Sequence, residues 1–155
     1  MKGDKSIIAK LNTLLADELT AINQYMVHSE MCKDWGYGKL HESIEGRAVE
    51  EMKHAEKLIC RIIFLEGLPM VSKLNDIMIG AEVETQLKND SKAELGAISA
   101  YNDGIQLARE VGDNGTRELL EGILVDEENH LDWLEAQLDQ IDQMGIANYL
   151  VEQIG

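Results

Sequence analysis

Two copies of one phrase constrain this chain more than anything else in it. Glu51-Met52-Lys53-His54 and Glu127-Glu128-Asn129-His130 each set a glutamate three residues before a histidine. Thirty-three residues upstream of each phrase stands another glutamate on an apolar helical stripe, Glu18 for the first and Glu94 for the second. Every member of the set recurs after a shift of 76 residues, and Tyr25 and Tyr101 obey the same shift. On a helix, residues i and i+3 lie on one face about a turn apart, so the carboxylate and imidazole of each phrase can converge on one point. That is metal-ligand spacing. Most Glu and His neighbours are solvated surface contacts, but these sit among Ala48, Ala55 and Leu58, and among Leu120, Ile123, Leu131 and Leu134, all at helical spacing. Four carboxylates therefore turn inward. Buried together they repel one another and lose hydration, which is very costly unless cations neutralise them.

The remaining pattern predicts the scaffold for such a centre. Ile8, Leu11, Leu15, Leu19, Ile22 and Met26 share a stripe with Glu18 and Tyr25, which predicts an amphipathic helix over about 5 to 35 with Asp4 as its cap. Trp35-Gly36-Tyr37-Gly38 is so short a break that the next helix, about 39 to 65, must return antiparallel. Glu66-Gly67-Leu68-Pro69 ends it, since proline cannot continue a helix and restricts the residue before it. A stretch of weak periodicity follows to about residue 81. Connections this long are uncommon without a topological reason, and a crossover along a bundle supplies one by letting helices two and three run parallel. A third helix, about 82 to 111, places Leu87, Glu94, Leu95, Ile98, Tyr101 and Ile105 inward. After the turn Gly112-Asp113-Asn114-Gly115, Thr116 is the expected cap of a fourth helix to about 143, and Ile146 to Ile154 reads as a short terminal helix that must dock to be stable. The expected fold class is all-α, a four-helix bundle with a long crossover between helices two and three and a short fifth helix.

Composition narrows the partners. At 155 residues the chain suits a single domain, 1–155, with a sizeable core. A formal net charge of −15 argues against nucleic acid and against anionic membranes, which are bound by clusters of Lys and Arg lacking here. Cations are the expected partners. Cys32 and Cys60 form no CxxC pair, so reduced thiols are the simplest reading. The opening Met1-Lys2-Gly3-Asp4-Lys5-Ser6 has no secretory apolar core and no apolar run reaches membrane-spanning length, so a cytoplasmic protein is expected. His28 and His41 lack a glutamate three residues before them and read as surface or interface histidines, and Trp35 and Trp133 read as packing residues.

Single Glu, ExxH, single Glu, ExxH on four helices resembles the ferritin-like di-iron carboxylate proteins. Closer likeness, to the bacterioferritin family, is carried by Ile22-Asn23-Gln24-Tyr25, Asp34-Trp35-Gly36, Glu51-Met52-Lys53-His54-Ala55, Phe64-Leu65-Glu66-Gly67-Leu68-Pro69, Asp126-Glu127-Glu128, Asp132-Trp133-Leu134-Glu135 and Asn148-Tyr149-Leu150. The resemblance implies ferroxidase ligands Glu18, Glu51, His54, Glu94, Glu127 and His130, with Glu51 and Glu127 bridging two irons, Glu18 and Glu94 terminal, and one histidine on each metal. It implies a homo-oligomeric shell of about 24 subunits built from dimers, storing a ferric mineral. It also implies haem b held between Met52 of two subunits, and a bacterioferritin-associated ferredoxin that passes electrons to that haem for iron release. Met52 stands one residue from Glu51, which turns it about 100° from the metal face and out of the bundle. The family often carries a His and an Asp on the cavity side of helix two, serving an inner-surface iron site; this chain departs from that with Gly46 and Glu50.

Four carboxylates with two neutral imidazoles bring a charge that two divalent ions cancel. One imidazole per metal in an oxygen-rich site suits iron or manganese, and zinc would bind as well. Bridging carboxylates hold metals about 3.5 to 4 Å apart, where two ferrous ions can deliver two electrons to one dioxygen or peroxide. Tyr25 and Tyr101 are each expected to bond a ligand carboxylate of the opposite half, and Tyr25 to be able to supply a further electron. Rival readings are a haem-free bacterial ferritin, a soluble di-iron or di-manganese oxidase outside any shell, a DNA-protecting miniferritin, which would lack the second ExxH, and a structural bundle that binds no metal.

Overall fold

Asp4 accepts a hydrogen bond from the backbone N–H of Ser6 at 2.7 Å and so starts α1 (Lys5–Asp34), supplying an acceptor that the first helical turn otherwise lacks. The computed structural model describes residues 1–155 and continues with α2 (Gly38–Phe64), α3 (Val83–Glu110), α4 (Asn114–Met144) and the six-residue α5 (Ile146–Val151). No strand is present. Each of the four long helices lies within three residues of its expected span.

The cap of α4 differs from expectation. Asp113, not Thr116, is the N-cap: its carboxylate accepts from Thr116 N at 3.0 Å and from Thr116 Oγ at 2.6 Å. Thr116 lies inside the first turn, fully buried, and its hydroxyl accepts from Arg61 Nε at 2.9 Å, while Arg61 Nη2 donates to Asp113 at 2.9 Å. The end of α2 is thereby tied to the start of α4. At the close of α2 the left-handed conformation falls on Glu66, with φ of 62°, although Gly67 is next door. Glycine is needed at 67 for space: a Cβ there would stand 2.7 Å from Ile8 Cγ2.

The crossover, residues 65–82, is fixed by side chains spaced along α1. Asn12 holds Leu68 O and Met70 N, Thr20 accepts from Asn75 N, Gln24 accepts from Met78 N, and His28 accepts from Gly80 N. These contacts advance steadily from the N-terminal to the C-terminal part of α1. The crossover thus carries the chain back to the far end of the bundle, and α3 starts where α2 started and runs parallel to it. Tyr149 of α5 is buried and donates to Gln137 at 2.8 Å, while Lys39 N donates to Gln153 O, so the short helix docks on its own bundle.

Two apolar layers fill the interior. One contains Leu11, Leu15, Leu58, Ile62, Tyr101 and Ile123, the other Tyr25, Leu40, Ile44, Leu87, Leu134 and Tyr149. Two expected inward residues are not inward: Met26 and Leu95 are 49% and 55% exposed. Each follows directly on an inward residue, Tyr25 or Glu94, and a one-residue step rotates a side chain about 100°.

Replacing Asp113 by Ala removes a cap and leaves Arg61 without its partner. The loss should be about 1–2 kcal/mol, seen as a lower denaturant midpoint than that of the unaltered protein.

Candidate di-metal centre

Between the two apolar layers lies one polar layer. Glu18 of α1, Glu51 and His54 of α2, Glu94 of α3, and Glu127 and His130 of α4 are all buried there. Their ligand atoms fall into two overlapping groups, Glu18 with Glu51, His54 and Glu127, and Glu94 with Glu51, Glu127 and His130, with atoms in each group lying within 4.8 Å of one another. Glu51 and Glu127 belong to both. His54 Nδ1 stands 2.9 Å from Glu127, 3.4 Å from Glu51 and 3.7 Å from Glu18, and His130 Nδ1 stands 2.9 Å from Glu51, 3.5 Å from Glu127 and 3.7 Å from Glu94. The imidazole centroids are 6.2 Å apart. The twofold character of the sequence repeat is therefore present in the geometry.

The residues fit a pair of cations. Glu18 Oε2, Glu51 Oε1, Glu94 Oε2, Glu127 Oε2 and His130 Nδ1 are buried without a hydrogen-bond partner. Buried polar atoms are almost always satisfied, and five orphaned donor atoms converging on one place call for positive charge. Tyr25 donates to Glu94 Oε1 at 2.6 Å, and Tyr101 donates to Glu18 Oε1 at 2.5 Å, each hydroxyl reaching a carboxylate of the opposite half. On their outer sides the histidines meet two further carboxylates: His54 Nε2 lies 2.9 Å from Asp126, and His130 Nε2 pairs with Glu50. Sequence reading missed both partners, although Glu50 and Asp126 are themselves separated by the 76-residue shift.

A cavity of about 300 Å³ opens from this layer toward the crossover, with Glu18, Glu51, Glu94 and Glu127 at its floor and Asp17, Asn75, Asp76 and Lys92 among its outer walls. Neither ligand histidine lines it. Met52 points away from the layer and is 45% exposed on α2. His28, expected at the surface, is fully buried: Nδ1 donates to Asp90 at 2.9 Å and Nε2 accepts from Gly80 N at 3.0 Å. His41 is half-buried, with Nδ1 donating to Ser29 O.

The charges cannot stand unaided. Burial pushes Glu18, Glu51 and Glu94 above the ordinary carboxylate range, and neighbouring negative charge pushes Glu51 and Glu94 further. Burial acts on Glu127 as well, but hydrogen bonds with His54, Glu94 and Glu51 outweigh it and hold Glu127 at about 2. Burial favours neutral His54, yet hydrogen bonds to Glu127, Glu18 and Glu51 prevail and raise it. Tyr25 and Tyr101 are raised well above 10 by burial and by the adjoining carboxylates, so both remain neutral donors.

Comparison with known proteins agrees with this arrangement. Residues 8–144 match the ferritin-like domain. The chain is 40% identical over 149 residues to the bacterioferritin of Brucella melitensis, covering 96% of this chain and 92% of that protein. It is 41% identical over 145 residues to the bacterioferritin of Rhodobacter capsulatus, covering 94% and 90%, and 40% identical over 149 residues to that of Mycolicibacterium paratuberculosis, covering 96% and 94%. The chain belongs to the bacterioferritin family. Bacterioferritins are iron-storage ferritins, and a bundle with six buried carboxylate and imidazole side chains able to hold metal suits that class. No helix of this bacterioferritin-family chain is long and apolar enough to cross a membrane.

The protonation pattern sets a pH dependence. Glu18, Glu51, Glu94 and His54 hold protons in the folded chain that the unfolded chain releases as pH passes 4.5 for the carboxylates and 6.5 for the imidazole. A folded state that binds more protons loses stability as pH rises. Glu127 runs the other way, but its contribution is already complete above 4.5. Metal-stripped protein of this bacterioferritin family member should therefore melt at falling temperature as pH is raised from about 5 to 8. Saturating Zn²⁺, which displaces those protons, should flatten or reverse the trend, a contrast that differential scanning calorimetry reads directly.

Proposed function

We propose that this chain, acting as one domain over 1–155, is the ferroxidase subunit of a bacterioferritin shell, oxidising Fe(II) to Fe(III) at an intrasubunit di-iron centre and storing the product as a ferric mineral. One observation carries the reading: six buried ligand side chains form two metal-sized groups that share Glu51 and Glu127. In this reading Glu51 and Glu127 bridge the two ferrous ions, Glu18 and His54 complete one position, and Glu94 and His130 complete the other.

The chain's residues bind, orient and neutralise. Glu51 and Glu94, raised by burial, give up protons as cations enter, so binding exchanges protons for metal charge. Two ferrous ions then yield one electron each. With two protons they reduce dioxygen to hydrogen peroxide, or hydrogen peroxide to two waters. Holding both ions on shared carboxylates makes the two electrons available together. The bonds from Tyr25 and Tyr101 fix the terminal carboxylates, and where only one ferrous ion is present Tyr25 can supply the second electron that reduces hydrogen peroxide to two waters, its proton passing to Glu94, 2.6 Å away. The cavity beneath the crossover gives small ions and dioxygen a path to the four carboxylates.

Haem b belongs to this reading as well, held by Met52 of two subunits that meet face to face. The residues fit half of such a site: the thioether is accessible, and α1 and α2 also expose Met26, Val27 and Val49. Bound there, haem would carry electrons from a bacterioferritin-associated ferredoxin inward for release of stored iron. A shell of about 24 such subunits built from dimers, in the cytoplasm, completes the proposal.

The test is purification, measurement of particle size, and stopped-flow oxidation of Fe(II) in air. Glu127→Ala should reduce iron oxidation to the uncatalysed background while the particle keeps its size, and unchanged kinetics would defeat the ligand assignment. A compact dimer in place of a shell would favour the soluble-oxidase reading. A visible spectrum lacking bis-methionine haem bands would favour a haem-free ferritin.

A further inference from the structure

Glu50 and Asp126 approach the ligand histidines from the side away from the cavity. Each contact crosses between the halves: Glu50 on α2 meets Nε2 of His130 on α4, and Asp126 on α4 meets Nε2 of His54 on α2 at 2.9 Å. The two carboxylates precede the bridging Glu51 and Glu127, and the 76-residue repeat includes them. They are not forced inward, since their side chains are 55% and 45% exposed. Surface carboxylates usually gain little by pairing, so the same contact made twice about a pseudo-twofold axis points to the imidazole as its beneficiary.

Gly46 and Gly122 stand one turn before Glu50 and Asp126 and are related by the same shift. A Cβ at either would meet nothing within 4 Å, so no close packing demands a glycine there. A helix-interior glycine costs about 1 kcal/mol against alanine. An alanine at either position would touch neither Glu50 nor Asp126, so these contacts do not depend on the two glycines.

We propose that Glu50 and Asp126 are positioning residues of the metal centre. Each accepts the Nε2–H of the histidine of the opposite half, which fixes the tautomer, aims the Nδ1 lone pair at the buried carboxylates and makes it a stronger ligand. The inference rests on the di-metal reading above. It assigns Glu50 to the buried centre and not to a separate inner-surface ion, for which Gly46 offers no imidazole.

Titration of the assembled, metal-stripped protein with Co²⁺, followed by its visible absorption, tests this. The unaltered protein should take up two ions per subunit. Glu50→Ala should weaken one of them about 10- to 100-fold and alter its absorption, and Asp126→Ala should do the same to the other. Glu50→Gln should restore most of the loss, because an amide oxygen still accepts from Nε2–H; a role confined to surface charge would not be rescued this way. Two ions bound by Glu50→Ala with unaltered affinity overturn the positioning role alone. So does a third ion in the unaltered protein that Glu50→Ala removes while the first two are unaffected. No uptake by the unaltered protein overturns the di-metal reading and this one with it.

Discussion

Mutual repulsion among four carboxylates in an apolar bundle is the constraint around which this structure is arranged. One like-charged pair at about 4 Å costs on the order of 4 kcal/mol at an effective dielectric of about 20. A whole domain of this kind is stable by only about 5–15 kcal/mol. Glu18, Glu51, Glu94 and Glu127 therefore cannot all remain ionised in one buried layer without counter-charge. Protons supply part of it, as the raised carboxylates and His54 show. The orphaned oxygens mark what protons leave undone. Divalent cations answer both needs at once, and the cavity beneath the crossover leads to the four carboxylates.

The halves hold each other's ligands. Tyr25 on α1 bonds Glu94 on α3, Tyr101 on α3 bonds Glu18 on α1, His54 on α2 meets Asp126 on α4, and His130 on α4 meets Glu50 on α2. No half contains a complete site, so ligand geometry is a consequence of docking the two helical hairpins. Local sequence determines each helix face; the centre exists only once the faces meet.

Helix spans and the inward turn of Glu18, Glu51, Glu94 and Glu127 were legible because both rest on local signals: the 3.6-residue period, and glutamates on apolar stripes that carry their own energetic warning. What escaped reading depends on distant partners or on small angles. His28 has no local mark of burial, and its partners Asp90 and Gly80 lie more than fifty residues away in the chain. Met26 and Leu95 sit one step off an inward residue, too fine a difference for a stripe to resolve. Thr116 looked like a cap, but Asp113 lies three residues before it and has the shorter reach to the free N–H groups. Glu50 and Asp126 were visible in principle, since the repeat that picked out the ligands contains them too.

The repeat also shows where the twofold symmetry breaks and why. Leu14 of α1 lies beside Gly104 of α3, and their counterparts after the 76-residue shift are Asp90 of α3 and His28 of α1. At one end of the bundle the pair is apolar and small; at the other it is a buried, hydrogen-bonded polar couple. Only the second end receives the end of the crossover. Backbone N–H groups of the crossover need acceptors, and Gln24 and His28 provide them, with Asp90 fixing both side chains at 2.9 Å. Crossover residues Asn75, Asp76 and Met78 then wall the cavity above the carboxylates. The two carboxylate–histidine groups are equivalent in composition but have inequivalent surroundings, because the single connection between the halves runs along one side of the bundle.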